Sequence, residues 1–191
     1  MTEDGMRAAV VAYLVERANP TVDADGAVRR GWSSSIGPTG GPGADPATIK
    51  FVKTRAFPTC ELHEVDYLNH RGWQMHVLIE TRQERDGTWR VHPFGGGAGP
   101  GPHRSHPWVN LCAGFGPLSF TAGGHVAGDG AENAASVRLS FADGSEIEDT
   151  IDNGVVLFFE PRAVVAPVAV SIFGEDGGVL ATYQEFTGLA P

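Results

Sequence analysis

Cysteine, cationic clusters and long apolar runs are all scarce in this sequence. Only Cys60 and Cys112 occur among 191 residues. They form no CxxC pair, and two thiols alone cannot complete a zinc site. No stretch approaches ~18 uninterrupted apolar residues, so no transmembrane helix is expected. The opening Thr2-Glu3-Asp4 carries neither the basic nor the apolar region of a secretory signal. These absences predict a cytoplasmic chain with free thiols. Charged residues make up 19%, the formal net charge is −9, and the only run of cations is Arg29-Arg30. Such a surface repels phosphate backbones and anionic lipid, which excludes nucleic acid and membrane as partners.

Glycine (26) and proline (13) are abundant instead. That composition favours many turns and short strands over long helices. Residues 1–19 read as one helix: Thr2 caps it, Glu3 and Asp4 suit its positive end, and Met6, Val10, Tyr13 and Leu14 recur at helical spacing. Asn19-Pro20 stops it. A helix this short needs something to pack against, either the domain or a partner. Residues 20–47, with Ser33-Ser34-Ser35, Gly37-Pro38 and Gly40-Gly41-Pro42-Gly43, read as a linker or long loop. The helix is therefore expected as a tethered appendage.

From Ile49 the apolar period changes to two. Trp73, Met75, Val77 and Ile79 share one strand face, and Asp86-Gly87 turns the chain into Trp89 and Val91. Trp73 and Trp89 are expected as core or cross-strand partners. Val137, Leu139 and Phe141 alternate with polar residues before Asp143-Gly144; Ile147, Asp149 and Ile151 follow. Asn153-Gly154 then leads into Val155-Val156-Leu157-Phe158-Phe159, an apolar run suited to a central strand. Val168 to Ile172 and Val179 to Tyr183 complete the series. Short strands joined by such turns predict a mainly β chain, with an antiparallel β-sandwich over 48–191 and a β-barrel as the alternative.

The segment Val137 to Gly144, followed by Glu148-Asp149 and Asn153 to Phe158, resembles a pattern in uncharacterised actinobacterial β-sandwich proteins. Pro107-Trp108-Val109-Asn110-Leu111 and Phe120-Thr121-Ala122-Gly123-Gly124 resemble the stretch before it. The likeness spans about 60–185. It implies the sandwich fold and carries no activity or site residues with it.

Chemistry concentrates between His92 and Trp108, a Gly/Pro-rich stretch holding three of the seven histidines. Read as a loop between strands, it is a natural place for binding. His92, His103 and His106 could hold a divalent metal if the loop folds back, with three imidazoles and an open position. His106 and Asn110 match one half of a cupin-like spacing, but the HxH half is missing. Pro102 and Pro107 also prevent a regular helix from presenting His103 and His106 together. Solvated loop histidines are the simpler reading. The glycines lack the GK[ST] ending of a phosphate-binding loop, and Gly95-x-Gly97-x-x-Pro100 breaks the dinucleotide pattern at its last position.

Neither cysteine lies beside a histidine, and Cys60 and His63 have opposite strand parity. Glu146 and Glu148 share a strand face, which more often marks a solvated edge than an acid–base pair. Arg104 beside an exposed Trp108 suits protein recognition.

No complete catalytic constellation emerges. The sequence reads first as a non-enzymatic binding or assembly module without a cofactor. It would contact a protein partner or a second copy through the N-terminal helix and through His92, His103, Arg104, His106, Trp108 and Asn110. The alternatives are a metal-dependent enzyme using the loop histidines and a small-molecule-binding sandwich.

Overall fold

The computed structural model describes residues 3–16, 43–69, 71–85, 87–98, 104–115, 119–162 and 166–184. The expected linker over 20–47 lies outside these residues except for 43–47. The chain is mainly β. It divides into two compact units, Met1–Gly99 and Pro100–Pro191, each with its own core. The division falls at Gly99, where the sequence suggested a boundary at 47/48.

The first unit has helix α1 (Glu3–Glu16) and an antiparallel sheet of β1 (Lys50–Ala56), β2 (Glu61–Leu68), β3 (Gln74–Gln83) and β4 (Trp89–Ala98), in that spatial order. The helix is not an appendage. Met6, Val10 and Leu14 are at most 2% exposed and join Val65, Val77 and Ile79 in one core. Each such side chain contributes about 2 kcal/mol when buried, so the docked helix is far more stable than a free one. The amide of Ala44 donates to the Leu14 carbonyl (3.1 Å), which ties the returning chain to the helix end.

His63 is completely buried on β2, the strand that bears Val65. Its Nδ1 lies 3.1 Å from Thr54 Oγ1 and its Nε2 2.9 Å from Thr81 Oγ1. Phe51 packs edge-on against the imidazole, with ring centroids 5.7 Å apart. Burial, aided by the Arg7 charge, pushes the imidazole down to about 4.

The second unit is an antiparallel β-sandwich. One sheet runs β5 (Trp108–Phe115), β6 (Phe120–Ala127), β9 (Val155–Glu160). The other runs β11 (Val179–Tyr183), β10 (Ala169–Gly174), β7 (Ala134–Ser140), β8 (Glu146–Thr150). Phe120, Ala122, Val156 and Phe158 from the first meet Val137, Leu139, Val170 and Ile172 from the second. No sheet among the described residues closes into a barrel. The expected Asn153-Gly154 turn forms: Asn153 (φ 51°) and Gly154 (φ 75°) give the two left-handed positions that match the twist of a tight hairpin. The apolar run Val155–Phe159 is an edge strand of its sheet, not the central one.

Two side chains close the seams of the sandwich. Edge strand β5 would leave the Val109 amide unpaired, but Val109 N–H donates to the Tyr183 hydroxyl of β11 (2.7 Å), which donates in turn toward the Val109 carbonyl (3.4 Å). At the opposite seam, the Leu157 amide of β9 donates to Asp149 Oδ2 of β8 (2.7 Å). Asp149 is 5% exposed, whereas Glu146 and Glu148 on the same strand are exposed. Those two glutamates pair with Arg138 across β7 and form a solvated face. No helix among the described residues is long and apolar enough to cross a membrane.

Two measurements check this account. The folded His63 imidazole sits near 4, below the ordinary 6.5. Its contribution is therefore fully present above pH 6.5 and is lost as pH falls toward 4, by about 3 kcal/mol. Denaturant unfolding across that window should show the loss, and His63→Gln should flatten it. An unchanged slope in that variant would assign the pH dependence elsewhere. Tyr183→Phe and Asp149→Ala should each cost about 2 kcal/mol by stranding a backbone N–H, and the double variant should lose the sum. Unchanged unfolding midpoints in both single variants would mean that the seams do not depend on these groups.

Candidate functional site

The stretch from His92 to Trp108 is not one loop. His92 through Ala98 belong to β4, where Gly95, Gly96 and Gly97 pair with Leu78, Val77 and His76 of β3. Glycine carries no side-chain signal, so the backbone ladder rather than the sequence pattern reveals the strand. His92 is exposed on β4 opposite Glu80, within the first unit. His103 lies outside the described residues. His106 is exposed in the second unit. Among the described residues, neither unit by itself gathers three His, Cys, Asp or Glu ligand atoms at metal-binding spacing.

Arg104, Ser105 and His106 form a short exposed segment leading into β5. Its side chains face solvent, but its backbone is fixed. Asp129 N–H donates to the Arg104 carbonyl (3.0 Å). Gly128 has φ +94°, and a Cβ there would stand 2.2 Å from the His106 carbonyl oxygen and 3.0 Å from that of Arg104. Only glycine permits this approach. Pro107 is buried, its ring 3.6 Å from where a Cβ on Gly130 would lie.

Trp108 differs from the expected exposed loop tryptophan. It opens β5, is 6% exposed and pairs with Ala127. The Arg104 guanidinium lies 4.7 Å from its ring centroid, so the indole positions the arginine from beneath. Asn110 is half-buried on β5 opposite His125. The arrangement presents one fixed cation, a hydroxyl and an imidazole on an acidic protein. A guanidinium of this kind matches the geometry of a carboxylate.

Cys60 and Cys112 form no disulfide. Burial, reinforced by the Glu80 carboxylate, pushes the Cys60 thiol up to about 12, which removes the thiolate a nucleophile requires. His63 spends both ring nitrogens on threonines.

Sequence reasoning missed an exposed tryptophan elsewhere. Trp73 is 52% exposed and precedes β3. Val77 and Ile79 of β3 join the helix residues in the core, whereas Trp73 does not. The Asn69-His70-Arg71-Gly72 turn was the available signal, because it places Trp73 at the edge of the ladder.

Gly128→Ala should move the Arg104–His106 backbone and cost about 2 kcal/mol, through left-handed strain and the carbonyl clash. Amide chemical shifts at Arg104 to His106, with denaturant unfolding, check both. Unchanged shifts would mean that Gly128 does not set the segment. Comparison with family models, with curated proteins and with solved structures finds no match to this chain.

Proposed function

We propose that the chain is a cytoplasmic, non-enzymatic binding module that presents Arg104, Ser105 and His106 to the carboxylate-bearing surface of a protein partner. The observation that carries the reading is the contrast between exposed side chains and a pinned backbone in this segment. Ordering an exposed loop on binding costs entropy, and a segment already held by Gly128 and Asp129 has little left to lose. The Arg104–Trp108 stack supplies an anchor of the kind enriched at binding hot spots. The Arg104 guanidinium, seated against the Trp108 indole, supplies the local charge complementarity for a carboxylate. The apolar face of the N-terminal helix is buried in the first unit's core, so the contact is assigned to this segment and not to that face.

A photo-crosslinking residue at position 105 tests the proposal in cells. A discrete protein adduct should form there and should disappear in the Arg104→Ala/His106→Ala background. The same probe at Asp143, in the β7–β8 turn, should not capture it. Equal capture at both positions, or no effect of the two substitutions, would sink the reading.

A further inference from the structure

The His63 imidazole lies beneath α1. His63 and Val65 share one face of β2, the face that Met6, Val10 and Leu14 cover. The ring is completely buried, and its two nitrogens are held by hydroxyls of the flanking strands, Thr54 on β1 and Thr81 on β3. Phe51 of β1 meets the ring edge-on. The Arg7 guanidinium of α1 rests on the same phenyl, 4.6 Å from its centroid. Helix, arginine, phenylalanine and histidine thus form one line of contact. Arg7 is the charge that acts on the imidazole from the helix. On β2 itself, Glu61 stands two residues along the same face. The positions paired with His63, Thr54 on β1 and Ile79 on β3, carry no charge. Tyr13 of α1 and Tyr67 of β2 pack on the same core, and phenols are uncharged in acid.

A neutral imidazole suits this site, because one nitrogen donates to a hydroxyl and the other accepts from one. A second proton changes the balance. It places a cation in the core, where its hydrogen-bond partners are two neutral hydroxyls and the helix charge acting on it has the same sign. The strain can be relieved on one side only. β2 is hydrogen-bonded along both edges, to β1 and to β3, and cannot move without breaking a ladder. α1 packs on that sheet through side chains, so it can lift while the strands stay joined.

We propose that protonation of His63 releases α1 from its sheet while the strands remain paired. Release lets water reach the imidazolium and carries Arg7 away from it. It also uncovers Val65, Val77 and Ile79 on the sheet, and Met6, Val10 and Leu14 on the helix. At neutral pH the uncharged ring keeps the helix shut. The docked imidazole sits near 4, against 6.5 for one in water, so docking is strongest above pH 6.5 and weakens as pH falls toward 4. The opening constant of the helix should rise about 100-fold between about pH 7 and pH 4. The device lies within the first unit and uses none of the residues assigned to the partner-binding segment.

Native-state hydrogen exchange of the full chain at neutral and acid pH, corrected for the intrinsic change in exchange rate, tests it. Protection of the α1 amides should fall about 100-fold on acidification, and that of the β2 and β3 amides by much less. His63→Gln should hold α1 protection constant across the range. Arg7→Gln replaces an exposed side chain, leaves the core intact, and should lessen the fall. Circular dichroism at neutral pH verifies that each variant folds; if His63→Gln does not, the Arg7→Gln comparison decides. Helix amides that keep their protection in acid overturn the proposal. So does loss of protection in step across α1, β2 and β3, which is global unfolding, or a fall that is undiminished in either folded variant.

Discussion

Every strand at the border of a sheet exposes backbone groups that must find partners. Among the described residues the strands are divided among three open sheets, which leaves six edge strands. Each is handled differently. β1 is bulged at Val52 and carries Lys50, Lys53 and Arg55. β4 carries Pro93 and a register shift beside it. β11 is bulged at Leu180, and β8 is acidic. β5 and β9 receive side-chain caps from Tyr183 and Asp149. Bulges, charge and proline deter the addition of a further strand, while the two caps satisfy a seam outright. The Tyr183 phenol, raised to about 12 by burial, stays protonated and keeps both its donor and acceptor roles.

Away from the sheet edges, two short segments are held by a shared logic. Gly128 fixes Arg104–His106 through backbone contact, and Asn69 fixes Trp73 through its amide oxygen. In both, a buried polar or glycine residue holds the main chain so that the exposed side chain is already in position. Arginine stacked on tryptophan occurs at both, once with the indole buried and once with it exposed.

The hairpins were legible because their chemistry is local. Asp143-Gly144 and Asn153-Gly154 specify turns whatever surrounds them, and the alternation of Val137, Leu139 and Phe141 is read directly as one strand face. The Gly95–Gly97 strand was not legible, because its identity comes from the partner ladder on β3. The docking of α1 was half-legible: Met6, Val10 and Leu14 announced an apolar face, but not which surface would cover it. The segment around Arg104 was marked by composition. The exchange of roles between Trp108 and Trp73 was not, because it depends on where each strand begins and on what the fold lays over it.

The Tyr183 cap also has a temporal side. The hydroxyl that completes β5 is supplied by a residue 74 positions further along the chain than the amide it caps. Until β11 has been synthesised and has paired with β10, the Val109 edge stays open to any extended peptide nearby. Closing so long a loop is entropically slow and must follow the local hairpins. The seam is therefore a late step in folding, and the interval before it closes is when the nascent sandwich is most exposed to mispairing with a neighbouring chain.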